Sequence, residues 1–286
     1  MFDVPTRYDC AVIGTGPAGL SAVLTLKSMN KSYIWFGSKQ LSHKIRKAEK
    51  ILNYPGLSCV SGEEMANAFS AQIHDAAIEI REKTVTGVYQ MGDYYGLLCD
   101  QEMFEAKTVI IATGVESVKP IPGELELLGA GVSYCATCDG MLYRGKTIAV
   151  ISTSAEFEHE VMFLSGLAEK VYFIPLYRDS KVTGDNIQVL KQMPREVAGK
   201  GRVEKLCFDD SELEVDGVFF LKAAISPSAL VMGLESENGH VLINRQCETN
   251  LPGCFAAGDC TGRPYQYVKA AGEGNVAAHS VVRYLG

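Results

Sequence analysis

The chain has 286 residues, room for one large domain or two ordinary ones. Its composition, 47% hydrophobic and 21% charged, excludes a disordered or collagen-like chain, and no apolar run reaches the length of about 18 that a membrane span needs. The net charge of −7 argues against nucleic acid and anionic membrane as partners, and nine scattered cysteines, an odd number, point to a reducing cytoplasm. The opening Met1-Phe2-Asp3-Val4 lacks the basic-then-apolar order of a signal peptide.

In chain order, Asp9–Ile13 reads as a buried strand and Leu20–Met29 as a helix, with Gly14-Thr15-Gly16-Pro17-Ala18-Gly19 between them. Ser32–Phe36 is the next strand. Thr108–Ala112 is another, stopped by Thr113-Gly114. Lys119-Pro120-Ile121-Pro122-Gly123 is a stiff connector and marks a domain boundary. A second β-turn-α-β follows: strand Thr147–Ile151, helix Ala155–Leu167, strand Lys170–Ile174. The chain ends in Gly253–Asp259 and a helix from about Tyr265 to Tyr284. The expected fold is α/β with two nucleotide-binding, Rossmann-like domains.

Gly14-x-Gly16-x-x-Gly19 lies between a strand and a helix, the context that a dinucleotide loop needs. The first glycine permits the turn, the second admits a pyrophosphate to the backbone, and the third packs helix on strand. The acidic residue expected after the second strand is missing: the chain reads Phe36-Gly37-Ser38-Lys39.

Cys135-Ala136-Thr137-Cys138-Asp139 is the sharpest signal. Two thiols at this spacing can close a reversible disulfide, a helix start lowers a thiol's pKa, and Asp139 stands ready to move protons. The other reading, half a zinc site, needs a second such pair. Cys10, Cys59, Cys99, Cys207, Cys247, Cys254 and Cys260 form none, and the histidines are not spaced as ligands, so no metal is expected.

With these motifs together, the chain resembles the low-molecular-weight thioredoxin reductases. The matching stretches are Gly14–Gly19, Asn53-Tyr54-Pro55-Gly56, Ala112-Thr113-Gly114, Ile121-Pro122-Gly123-Glu124, Cys135–Gly140 and Gly253–Asp259. The resemblance implies FAD, held by Gly14, Gly16, Pro17, Ala18, Gly19, Gly37, Ser38, Lys44, Asn53, Val85, Ala112, Thr113, Gly114, Gly258, Asp259, Gln266 and Tyr267. It implies that the second domain is inserted in the first, 1–117 with 246–286 holding FAD and 118–245 carrying the dithiol, that Cys138 faces the flavin, that Cys135 attacks thioredoxin, and that the protein is a homodimer.

The second glycine loop, which holds NADPH in most of that family, departs from the pattern. Ile151-Ser152-Thr153-Ser154-Ala155-Glu156-Phe157-Glu158 contains no glycine, and Glu156 and Glu158 place negative charge where phosphates would lie. Thr153-x-x-Glu156 fits a capping box. The next strand leads into Pro175-Leu176-Tyr177-Arg178-Asp179, without the basic cluster that a 2′-phosphate needs. The chain is thus most similar to the ferredoxin-linked, NADPH-independent flavin thioredoxin reductases of clostridia. Lys39–Lys50 carries five Lys or Arg against one Glu, and Lys44, Arg46, Lys47 and Lys50 are the expected docking patch for an acidic ferredoxin. The rival readings are an NAD(P)H- or deazaflavin-linked reductase, and a non-enzymatic flavin redox sensor.

Overall fold

The computed structural model describes residues 7–46, 48–99, 102–115, 120–222 and 226–286; the side chains of His43 and Lys44, and all of Lys47, lie outside that description. The chain divides into two compact units, with boundaries at 115/116 and 225/226.

The first unit starts with β1 (Arg7–Ile13), whose last four residues are buried, as a continuous apolar run in a parallel sheet requires. Past Gly14, α1 (Pro17–Ser28) begins with proline at its first position, where a missing N–H costs nothing. Its Leu20, Ala22, Val23 and Leu26 are buried. β2 (Tyr33–Phe36) and the short α2 (His43–Arg46) follow. α3 (Gly62–Asp75) is opened by a capping box: Ser61 Oγ accepts from the Glu64 N–H, and the Glu64 carboxylate accepts from the Ser61 N–H at 2.7 Å. β3 (Val85–Gln90), β4 (Tyr95–Cys99) and β5 (Glu102–Ile111) form an antiparallel meander. β5 is long because it serves two pairings: its first half joins β4, and Glu105–Ile111 runs parallel to β1.

The second unit holds β6 (Val132–Ser133), α4 (Ala136–Asp139), β7 (Thr147–Ser152), α5 (Glu158–Ser165), β8 (Lys170–Pro175) and β9 (Ile187–Val189). β10 (Glu196–Ala198), β11 (Lys205–Cys207) and β12 (Glu212–Glu214) make a separate antiparallel sheet. β13 (Gly217–Leu221) then inserts between β6 and β7, giving the parallel order β6-β13-β7-β8-β9. Side chains alternate between two cores. Ala149, Ile151, Val218 and Phe220 face one; Ile148, Val150, Phe219 and Leu221 face the other.

The chain returns to the first unit through α6 (Pro227–Leu230), β14 (Ser236–Glu237), β15 (His240–Val241), β16 (Cys254–Ala256) and α7 (Tyr267–Leu285). β16 pairs parallel with the second half of β5, and α7 lies across α1 so closely that a Cβ on Gly274 would sit 2.0 Å from the Ala18 carbonyl oxygen. The domain boundary expected at 245/246 therefore differs from the division found, at 225/226. Residues after 226 belong with the first unit because α6 packs on β3 and Val231 bridges Val88, with Leu230 and Val231 both buried. The fold is α/β, with two nucleotide-fold openings and the second unit inserted in the first. Among the described residues no helix is long and apolar enough to cross a membrane.

Candidate active site

In the second unit, β6 ends at Ser133 and the chain turns into α4 with Cys135 as its N-cap, in extended conformation. Cys135 and Cys138 are joined in a disulfide, their Cα atoms 5.3 Å apart. The Cys138 N–H points at Cys135 Sγ, 3.1 Å away. A sulfur in that place is favoured as thiolate, since a donated hydrogen bond stabilises the charge. Cys135 is 7% exposed and Cys138 half-buried. Ser133 gathers the turn: its hydroxyl accepts from the Cys135 N–H at 3.0 Å and lies 2.7 Å from Asp139 Oδ2. Met141 and Leu142, which follow Gly140 in the next turn, are 57% and 67% exposed.

Burial sets four of the other cysteines apart. Cys10, Cys247, Cys254 and Cys260 are pushed up to about 12 by burial, so they stay protonated and unreactive.

The first unit carries the glycine cradle. Gly14 has φ +112°, and a Cβ there would fall 2.2 Å from the Ala112 carbonyl oxygen. A Cβ on Gly19 would strike the Gly14 carbonyl oxygen at 1.9 Å, whereas one on Gly16 would meet nothing within 4 Å. The first and third glycines thus serve packing, and the open face over Gly16 is where an anion can reach backbone. Gly16 caps α1 with no side-chain hydrogen bond, and the first turn holds no acid, so the helix's N–H groups and dipole face that space unclaimed. Thr113 has a buried hydroxyl with no hydrogen-bond partner among the described residues. Gly37 (φ +145°), Gly114 (φ +72°) and Gly258 (φ +89°) border the same strand ends. These features fit a dinucleotide whose pyrophosphate lies over Gly16.

The C-terminal segment completes the cradle. Gly258 is held from both sides: its N–H donates to the Glu273 carboxylate at 2.8 Å, and its carbonyl accepts from Lys269 Nζ at 2.9 Å. Asp259, next in the chain, opens a 3-10 turn. Asn53 Nδ2 donates to Gln266 Oε1 at 2.7 Å, which joins two expected site residues far apart in sequence. Tyr267 starts α7, its hydroxyl pushed up by burial and by the charge of Asp259. Val85 is buried at the start of β3, and Ser38 Oγ accepts from the Gln40 N–H. Lys44 can be placed only by its backbone, in α2. All the expected cofactor-binding positions fall in this unit, and the dithiol falls in the other.

The second glycine-loop position is filled from within. Ser152 Oγ donates to the Ser154 carbonyl at 2.9 Å, and Thr153 Oγ1 to the Leu221 carbonyl at 3.3 Å. The cap is therefore Ser154, which receives the Glu156 N–H at 3.3 Å, and the Thr153/Glu156 capping box is not formed. Glu158 Oε1 accepts three hydrogen bonds from the segment after β8: Tyr177 Oη and Ser180 Oγ at 2.9 Å, and the Lys181 N–H at 3.1 Å. Those bonds, Ser180 first, hold its carboxyl below the usual range. The sequence shows the acid but not its three donors.

In the basic stretch, Arg46 is already engaged: it pairs with Glu63 and donates Nε to the Gln40 carbonyl at 3.1 Å. Lys39 pairs with Glu82 at 3.7 Å, and Lys50 is exposed.

Comparison with known proteins agrees with this arrangement. A pyridine nucleotide-disulphide oxidoreductase family model matches residues 8–153 and 178–274. The chain is 33% identical to a thioredoxin reductase of Helicobacter pylori, over 97% of this chain and 98% of that protein. It is 30% identical to the Bacillus subtilis thioredoxin reductase, over 97% and 95%. The solved structure of a ferredoxin-flavin thioredoxin reductase from Clostridium acetobutylicum is similar at 48% identity and a TM-score of 0.89, covering 98% of each chain.

Proposed function

Because the chain belongs to the pyridine nucleotide-disulphide oxidoreductase family and, within it, to the thioredoxin reductases, we propose that this reductase draws its electrons from reduced ferredoxin and not from NADPH. The observation that carries the proposal is Glu158. Its carboxylate takes the donors of the loop after β8, where a nucleotide phosphate would need them, and the loop before it has no glycine over which a pyrophosphate could lie. A phosphate brought there would meet a carboxylate already paired. The likeness to a ferredoxin-flavin thioredoxin reductase over nearly the whole of both chains supports the same reading. The energetics agree: from a ferredoxin near about −400 mV to a thioredoxin near about −270 mV is roughly 130 mV downhill, about 6 kcal/mol for two electrons.

FAD is the cofactor, and when bound it supplies the change from one-electron donor to two-electron acceptor that a disulfide requires. The backbone at Gly16 and the N-terminus of α1 would take its pyrophosphate, with Gly258 and Asp259 beside them. In the reduced enzyme, Cys135 attacks the thioredoxin disulfide as thiolate and forms a mixed disulfide. Cys138 then attacks Cys135 Sγ, which restores the bond seen here and releases thioredoxin with both sulfurs reduced. The two protons that leave the enzyme thiols end on the two thioredoxin sulfurs, and Asp139 carries one across. Cys135, at 7% exposure, must swing out on reduction to meet a protein substrate. Lys44, Arg46, Lys47 and Lys50 as a ferredoxin dock, and the homodimer, belong to the same proposal.

The test is anaerobic mixing of the yellow protein with NADPH and, separately, with reduced ferredoxin, followed by the flavin spectrum. Bleaching is expected with ferredoxin alone. Rapid bleaching by micromolar NADPH would overturn the proposal.

A further inference from the structure

The dithiol turn contains a buried group that the exchange chemistry above does not use. Ser133 is 3% exposed and sits on β6, paired opposite Phe219 of β13. Its neighbours Val132 and Tyr134 face the other core, so the pleat turns its hydroxyl toward α4. There it lies within hydrogen-bond distance of three atoms, all inside the motif: the Cys135 N–H at 3.0 Å, the Cys135 carbonyl at 3.2 Å and Asp139 Oδ2 at 2.7 Å. A hydroxyl has one proton to give. The shorter contact, to a carboxylate, takes it, because hydrogen bonds to charge are the stronger ones. The result is a directed chain, Cys135 N–H to Ser133 O–H to Asp139 Oδ2, in which each bond polarises the next.

A buried serine that merely satisfies itself needs one carbonyl, and the Cys135 carbonyl is in reach. Ser133 instead ties the first residue of the turn to the last. We propose that Ser133 is the positioning residue of the dithiol site: it holds the Asp139 carboxylate against the turn that carries both sulfurs. This rests on the reading of Asp139 as the proton carrier between enzyme thiol and departing thioredoxin thiolate. In that step Asp139 gains a proton from a Cys S–H, leaving thiolate, and returns it to the thioredoxin sulfur, so nothing outside the exchange is consumed.

The titratable neighbours of Asp139 are few. Its own turn carries Cys135 and Cys138, and the next carries Tyr143 and Arg144. The Tyr143 hydroxyl is raised by burial and then by the charge of Asp139 itself. α5, packed on α4, brings Glu158, His159 and Glu160. Glu158 is tied to the loop after β8, and His159 Nδ1 lies 2.9 Å from the Glu156 carbonyl.

Ser133→Ala removes the tie and should lower the rate of thioredoxin reduction, measured with excess reduced donor, by about tenfold. Ser133→Thr keeps the hydroxyl and should return the rate close to wild type, even where its extra methyl lowers Tm. In an Asp139→Asn background, Ser133→Ala should cost little more. A purely structural serine predicts otherwise: a lower Tm and the same loss of rate in both backgrounds, and that pattern overturns the proposal. If Asp139→Asn alone leaves the rate unchanged, the proton-carrier reading has failed instead.

Discussion

Glu158 Oε1 and the Tyr177 hydroxyl lie 2.9 Å apart, and this bond ties the first turn of α5 to the loop after β8. It has a pH dependence of known sign. The Glu158 carboxyl is lowered, by Ser180 first and then Tyr177, so its contribution is complete above the ordinary carboxylate range and is lost as pH falls through the lowered value. The Lys181 amide should therefore be protected from deuterium exchange near neutrality and lose that protection in acid, each rate being taken relative to the intrinsic amide rate at that pH. Glu158→Gln should remove that acid dependence. An amide with no protection at either pH would show the tie to be absent in solution.

The dithiol can be divided by single substitutions. Cys135→Ser should leave the flavin bound and reducible while abolishing thioredoxin reduction. Cys138→Ser should trap a stable mixed disulfide with a thioredoxin that lacks its resolving cysteine, visible on a non-reducing gel. Wild-type turnover by either variant would remove the pair from the mechanism.

Lys222 and Glu124 form a buried ion pair at 2.5 Å, their side chains 3% and 1% exposed, and Tyr134 Oη donates to the same carboxylate at 2.6 Å. Lys222→Met leaves a buried charge unpaired and should cost about 3–5 kcal/mol in urea unfolding. The Lys222→Met/Glu124→Gln double variant should recover most of that loss. If the double variant is no more stable than the single, the cost lies in packing around Lys222 and not in the charge.

Docking of ferredoxin is tested through Lys47 and Lys50 of the basic stretch. Exposed charges act on encounter rate and are screened over about 8 Å at physiological salt. Lys47→Glu/Lys50→Glu should slow flavin reduction by ferredoxin severalfold and flatten its salt dependence, while dithionite reduction stays constant. Arg46 is the poorer probe, since its pairing with Glu63 couples it to α3. Unchanged ferredoxin kinetics in the double variant would place the donor elsewhere.

The motifs with strong steric demands were the legible ones. Gly14, Gly19 and the Cys135–Cys138 spacing leave few alternatives, and each lies where its pattern indicates. What escaped the sequence were choices between equivalent groups. Thr153 and Ser154 both carry a hydroxyl at the head of one helix; the Leu221 carbonyl takes the first, which leaves the second as cap. The expected helix from Ala155 begins as a 3-10 turn, Ala155–Phe157, before α5. Ser226–Val231 carries no long apolar period, and its contacts with β3, Val231 bridging Val88 far away in sequence, assign it to the first unit. Ser133 shows its role only once β6 and α4 are placed together.

The contact of α7 with α1 has a consequence for synthesis. The glycine cradle is drawn from both ends of the chain, and Gly274 must reach Ala18 before α1 is covered. A ribosome adding about 5–20 residues per second makes the second unit in full while the first still waits for its last helix. During those seconds the newborn β1 and α1 carry an apolar face without its cover, and Gly258 and Asp259 have not yet joined the Gly14–Gly19 loop. The first unit is therefore completed only once α7 has been made, whereas the unit bearing the cysteine pair has everything it needs to form earlier.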